Sequence, residues 1–123
     1  MTTLVTGVGL IGTSFARFAL DRGERLVFVD SEPRTDYLRE QLGDANVSIV
    51  RRDIRDLPAL IQTMRDFEVD TVVHTAGLIG ARVAEALYTG LQINVQGTIN
   101  VAEAVRLSGV RRLVHVSTFG VYD

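Results

Sequence analysis

The sequence predicts a doubly wound α/β fold whose parallel sheet carries five strands in the order 3-2-1-4-5. Three observations predict it. Short β-branched runs alternate with longer stretches of helical periodicity, 46% of the 123 residues are hydrophobic against 23% charged, and no repeat, low-complexity stretch or linker divides the chain. Strands separated by helices must pair in parallel through right-handed crossovers, which sets helices on both faces of the sheet. A single domain over residues 1–123 follows.

The elements are predicted in order. Residues 4–6 form a short first strand, and residues 11–22 a helix with Ile11, Phe15, Phe18 and Ala19 on one face before Gly23 supplies a stop. Residues 26–30 are the second strand. A brief helix over 36–42 ends at Gly43, and 47–51 form a third, apolar strand. Asp56 caps a helix over 57–67, and 71–74 are the fourth strand. After a turn region at 77–80 the chain reads as helical to Ser108, with a break near Thr89-Gly90, and Gly109 closes it. The fifth strand is expected over 112–117; alternation along it would set His115 and Thr118 on opposite faces.

Composition narrows the chemistry. There is no cysteine, which removes disulfides, Cys-ligated zinc, iron–sulfur clusters and thiolate catalysis, and suggests a reducing, cytoplasmic setting. All thirteen basic residues are arginine, so the chain has no lysine for Schiff-base or acid–base work. His74 and His115 stand far apart in strand-like runs, where histidine is more often packed and hydrogen-bonded than metal-bound, so no metal is expected. The net charge of −2 gives no global pull toward nucleic acid or an anionic membrane. The start has no secretory pattern, and no apolar run approaches the roughly 20 residues that a membrane span needs.

Gly7-Val8-Gly9-Leu10-Ile11-Gly12 matches G-x-G-x-x-G between an apolar strand and an amphipathic helix, the context in which this pattern marks a Rossmann-type dinucleotide site. Gly7 permits the tight turn, Gly9 clears space for a pyrophosphate, and Gly12 lets helix and strand approach. The N–H groups of the helix start, at Leu10 and Ile11, would face the anion. Asp30 closes the second strand 23 residues after Gly7, where a carboxylate can accept both ribose hydroxyls of an adenosine. Such a carboxylate repels a 2′-phosphate, so NAD is expected over NADP, although Arg34 is near enough to offer a counter-charge if the loop folds back.

With these residues in place, residues 4–122 resemble the N-terminal half of the extended short-chain dehydrogenase/reductases, the NAD-dependent epimerase/dehydratase family. The resemblance continues through Arg52-Asp53-Ile54-Arg55-Asp56, Thr75-Ala76-Gly77 after the fourth strand, Asn94-Val-Gln-Gly-Thr98 on the long helix, and the segment from Gly109 to Tyr122. It implies that Asp53 accepts the adenine amino group while Ile54 packs the ring. It further implies that Thr75, Ala76 and Gly77 run along the cofactor, that Asn94 faces the cofactor side, and that Thr118 hydrogen-bonds the reacting substrate oxygen. Hydride would move through C4 of nicotinamide, on a nucleotide sugar or a related hydroxyl substrate.

The sequence departs from the family in four places. The glycine turn is one residue shorter than T-G-x-x-G-x-x-G, Thr75-Ala76-Gly77 replaces an apolar residue and two alanines, and Asp123 stands where glycine is usual. The fourth is an absence: the family's Tyr-x-x-x-Lys lies beyond the Thr118 position, and neither Tyr37, Tyr88 nor Tyr122 has a lysine four residues on. The chain is therefore expected to be a piece that stops before the substrate lobe and is inactive alone. A hydrophobic fifth strand at the sheet edge would favour partner pairing, including a homo-oligomer. The alternative expectation is a non-catalytic dinucleotide-binding sensor or interaction module of the same fold.

Overall fold

A computed structural model describes residues 1–43 and 45–122. Strands β1 (Thr2–Thr6), β2 (Arg25–Asp30), β3 (Val47–Arg51), β4 (Thr71–His74) and β5 (Arg112–His115) pair in parallel in the order β3-β2-β1-β4-β5. This is the predicted doubly wound sheet. Helices α1 (Leu10–Asp21), α2 (Thr35–Leu42) and α3 (Leu57–Asp66) provide the first crossovers. The last crossover runs through α4 (Ala81–Glu85), α5 (Leu87–Leu91), a π-helical turn at Gln92–Gln96 and α6 (Gly97–Ser108).

Period-two alternation divides the strand residues between two cores. Leu4, Val29 and Val72 face α3 and α6, where they meet Leu60, Met64, Val101 and Val105. Val5, Phe28 and Val73 face α1 and α2, with Ala16, Ala19 and Leu38. β1 is buried along its whole length because it lies at the centre of both layers. Helix ends follow local chemistry: Asp56 accepts from Ala59 N at 3.1 Å at the start of α3, and Gly109 ends α6 in the left-handed region at φ 69°.

Four expectations are corrected. β1 begins at Thr2 rather than residue 4, since Thr2 and Thr3 are buried and paired with β2. On α1, Ile11 and Phe18 are exposed; the buried face is Gly12, Thr13, Ala16 and Ala19. These small side chains let α1 lie close to the sheet, and the bulky ones are turned outward, Phe18 meeting the Arg22 guanidinium at 5.9 Å. The long helical run breaks at Ala86 (φ −142°, ψ 65°), whereas Gly90 stays helical and buried because a Cβ there would lie 3.2 Å from Val83 Cγ1. β5 stops at His115. Val116 N still reaches His74 O at 3.1 Å, but the chain then leaves the sheet for a 3₁₀ turn at Phe119–Tyr122, so alternation does not extend to Thr118.

Candidate functional site at the carboxyl edge of the sheet

Parallel strands deliver their carboxyl ends to one edge, and the order 3-2-1-4-5 puts the ends of β1, β2, β3 and β4 side by side there. At the end of β1, Gly7 adopts φ +91°, and its N–H donates to Val29 O at 2.8 Å. A Cβ at Gly7 would also meet Ala76 N at 3.1 Å, so glycine serves both the conformation and the approach of the β4 exit. Gly9 is the N-cap of α1 and faces open space: an added Cβ would meet nothing within 4 Å. Gly12 is the opposite case, with a Cβ landing 2.5 Å from Gly7 O. Helix geometry leaves the first-turn N–H groups of Leu10, Ile11 and Gly12 without intrahelical acceptors, beside the space over Gly9.

Asp30 is anchored to this turn. One carboxylate oxygen accepts from Val8 N at 2.7 Å and the other from Glu32 N at 2.8 Å, which fixes the side chain between the glycine turn and the β2 exit. Each oxygen retains a further lone pair for a ligand hydroxyl. Arg34, a counter-charge to a 2′-phosphate only if its loop folds back, stacks over Tyr37 at 4.5 Å. Around the β2 and β3 exits, Ser31, Glu32, Arg51, Arg52, Asp53 and Arg55 line an open hollow of about 510 Å³. Sequence pattern assigns no role to Arg51, and it names Arg52 only within the resembled segment 52–56. Their signal was the strand order itself, which sets the end of β3 beside Asp30; in the structure Arg51 Nε donates to Ser31 O at 2.8 Å and Arg52 N to Asp30 O at 3.0 Å.

Asp53 pairs with Arg55 at 2.7 Å, and hydrogen bonds from that guanidinium hold the carboxyl below its usual pKa. Arg55 also reaches Gln92 at 3.3 Å, and the Asp53–Arg55 pair separates the hollow from an open groove of about 800 Å³ between α3 and the π-helical turn. Ile54, expected to pack a ring, is 7% exposed and committed to the core, its Cδ1 lying against Gly97. That tight contact leaves little of its surface for a ligand.

The β4 exit crosses the glycine turn through Thr6, whose hydroxyl accepts from Thr75 N at 3.1 Å and Ala76 N at 3.2 Å. Gly77 brings backbone within reach of Asn94, but the Asn94 amide does not face an open cofactor side. Its Oδ1 accepts from Leu78 N and its Nδ2 donates to Leu78 O, both at 2.8 Å, so Asn94 shapes the strip at 77–78 from beneath. Thr118 stands apart from these residues on the exposed segment after β5, where its hydroxyl accepts from Gly120 N at 3.3 Å. Asp123 lies outside the described residues.

His74 sits buried beneath this edge and stacks on His115 with centroids 5.4 Å apart. Burial, and secondarily the approach of His115, lowers its pKa from 6.5 to about 4. The unfolded chain therefore takes up this proton near pH 6.5, while the folded chain resists until about pH 4. Stability from this group is complete above pH 6.5 and is lost as pH falls toward 4, a change of about 3 kcal/mol. Urea unfolding at pH 7.5 and 4.5 reads it directly: the wild-type midpoint should fall, and His74→Gln should flatten that part of the dependence. A wild-type midpoint that stays level over this range would count against the burial argument.

Among the described residues, no group of three His, Asp or Glu side chains is placed to hold a metal ion, and no helix is long and apolar enough to cross a membrane. The sequence profile of the NAD dependent epimerase/dehydratase family matches residues 3–123. A UDP-glucose 4-epimerase of Klebsiella pneumoniae is 33% identical over 129 residues, and the chain spans 92% of that relative's length. A UDP-glucose 4-epimerase of Mycolicibacterium smegmatis is 34% identical, but the chain spans only 39% of it. Among solved structures, the UDP-glucose-4-epimerase of Stenotrophomonas maltophila with bound NAD and formylated UDP-arabinopyranose superimposes with a TM-score of 0.89 at 29% identity, over 99% of this chain and 38% of that one. The dTDP-glucose 4,6-dehydratase of Streptomyces venezuelae with NAD and TYD bound gives 0.86 at 32% identity, over 99% and 41%. The glycine turn, the anchored Asp30 and the small-residue strip after β4 thus occur within a sequence and a fold matched end to end, and the chain belongs to the NAD-dependent epimerase/dehydratase family.

Proposed function

We propose that this chain is the NAD-binding portion of an epimerase, dehydratase or reductase that acts on a nucleotide-sugar-like substrate by hydride transfer. The observation that carries the reading is the open space over Gly9, where an added Cβ meets nothing within 4 Å, beside the α1 first-turn N–H groups that suit a pyrophosphate and the anchored Asp30 that suits an adenosine ribose. The NAD bound in the neighbouring epimerase and dehydratase structures supports the choice of dinucleotide. Asp30 supports NAD over NADP, because a fixed carboxylate repels a 2′-phosphate. Family membership favours this reading over a non-catalytic module.

When bound, the cofactor accepts a hydride at nicotinamide C4 and can return it. The chain's own residues do the holding. Gly9 and the α1 N–H groups seat the pyrophosphate, Asp30 accepts the ribose hydroxyls, and the strip Thr75-Ala76-Gly77 lies against the dinucleotide. Asp53 accepts the adenine amino group by exchanging one of its bonds from Arg55, which engages both carboxylate oxygens in the ligand-free chain, and Ile54 supports that end from the core. Asn94 acts through Leu78. Thr118 would donate a hydrogen bond to the reacting substrate oxygen, which requires its segment to turn from the Gly120 contact toward the edge. No lysine stands in the 123 residues to depress a tyrosine pKa, so no acid–base role is assigned to Tyr37, Tyr88 or Tyr122.

Gly9→Val tests the reading. A branched side chain enters space that folding does not use, so stability should change by no more than about 1 kcal/mol while ADP-ribose binding, measured calorimetrically, is lost. Equal ADP-ribose affinity in wild type and variant would remove the glycine turn from the site.

A further inference from the structure

Beneath the cofactor edge runs a chain of hydrogen bonds whose direction can be read from donor counting. The Thr98 hydroxyl donates its single proton to Asn94 O at 2.8 Å, so it can only accept from His74 Nε2, 2.9 Å away. That nitrogen must carry the ring proton. Nδ1 is then a bare acceptor, and the Thr6 hydroxyl donates to it at 2.6 Å. With its proton spent, Thr6 Oγ1 uses its lone pairs for Thr75 N and Ala76 N. At the far end, the residue whose carbonyl terminates the chain, Asn94, turns its side-chain amide onto both backbone groups of Leu78. A single imidazole thus links two supports of one strip, Thr75–Ala76 through Thr6 of β1 and Leu78 through Thr98 of α6 and Asn94 of the π-helical turn.

We propose that His74 is a positioning residue for the dinucleotide edge: held in one neutral Nε2–H form, it orients Thr6 toward Thr75 and Ala76, and Thr98 toward the Asn94 backbone that carries Leu78. The positioning stands on these hydrogen bonds, and only its effect on a ligand rests on the function proposed above. A role as core filler makes a different demand. Filling needs volume, which Val72 and Val73 supply on the same strand without polar atoms, whereas this site uses both ring nitrogens in opposite roles. Adding a proton at Nδ1 would present three donors to Thr6 Oγ1, namely the ring and the two backbone N–H groups, against its two lone pairs. The groups facing the ring are Thr6 from β1, Thr98 from α6 and, stacked on its face, His115 from β5.

The two halves can be separated by substitution. Asn places an acceptor near the position of Nδ1 and leaves Thr98 without its donor; Gln reaches Thr98 with an amide N–H and withdraws the acceptor from Thr6. In the ¹⁵N-labelled 123-residue chain at pH 7.5, His74 should show one tautomer with the proton on Nε2. Hydrogen exchange at Leu78 should speed up at least about tenfold in His74→Asn while Thr75 and Ala76 stay protected, and the pattern should reverse in His74→Gln. If neither variant folds, the wild-type tautomer and Thr98→Val decide, the latter being expected to release Leu78 alone. An Nδ1–H form, a tautomer mixture, or amides that respond alike in both variants overturns the proposal. ADP-ribose titration separates the ligand consequence: about tenfold weaker binding in each variant supports it. A wild type that binds no ADP-ribose removes the dinucleotide reading, while the amide pattern still decides the positioning.

Discussion

Incubated with saturating NAD and a panel of nucleotide sugars, the folded 123-residue chain should form neither NADH nor an epimerised product above background. A positioned acid–base group contributes about 10²–10⁴-fold, and correct orientation of two reactants can contribute more. Neither is supplied by these residues. Thr118 has a hydroxyl that accepts from Gly120 N, on an exposed segment, and an unperturbed alcohol needs a neighbouring base before it can take part in proton transfer. His115 is engaged with the His74 ring, and no lysine exists to activate Tyr37, Tyr88 or Tyr122. NADH absorbance and product chromatography make the measurement. Turnover that disappears in Thr118→Ala would overturn the expectation and demand a proton acceptor within this chain.

Gly12→Ala should destabilise the fold by roughly 2–3 kcal/mol even though alanine is the better helix former by about 1 kcal/mol. The added Cβ lands 2.5 Å from Gly7 O, 3.1 Å from Val5 Cγ1 and 3.3 Å from Thr75 Oγ1. The nearest of these is backbone, held by the Gly7 N–H bond to Val29 O, so relief requires α1 to lift from the sheet. Lifting it opens the core under Ala16 and Ala19. Thermal unfolding should show a fall in Tm on the order of 10 °C, while Gly9→Ala, which meets nothing, shifts far less. A Gly12→Ala chain as stable as wild type would mean that the turn and α1 are not in the contact described.

The parallel sheet and its order were legible because periodicity and crossover handedness constrain topology without knowledge of side-chain contacts. The glycine turn was legible for a related reason: each glycine answers a backbone demand, and those demands recur wherever a strand meets a helix over a phosphate. Packing depth was harder to read. Ile11 and Phe18 satisfy a helical apolar stripe, but a sequence pattern does not say how close a helix lies, and at close range small residues win the buried face. Gly90 was misread as a break because glycine's flexibility and its small size give the same letter. Ile54 and Asn94 show the limit at the site: the motif places both at the cofactor edge, yet only the tertiary contacts reveal that one is held in the core and the other grips Leu78. The hydrogen-bond chain through Thr6, His74 and Thr98 joins residues 68 and 24 positions apart and has no local signature.

The central position of β1 also bears on how the molecule assembles. Its seam with β2 joins Thr3 to Leu26, but its seam with β4 joins Thr3 to Thr71. Chain-closure entropy rises with the logarithm of the intervening length, so the second seam costs roughly 1 kcal/mol more to close than the first. Neighbouring seams β2–β3 and β4–β5 span shorter stretches, Leu26 to Val47 and Thr71 to Arg112. The unit β1-α1-β2-α2-β3 can therefore organise from near-neighbour contacts, while the junction of its first strand with β4 sets the contact order of the whole domain and slows its folding. That junction is where Thr6 meets Thr75 and Ala76, so the ligand edge is completed only when residues 69 and 70 positions apart have found each other.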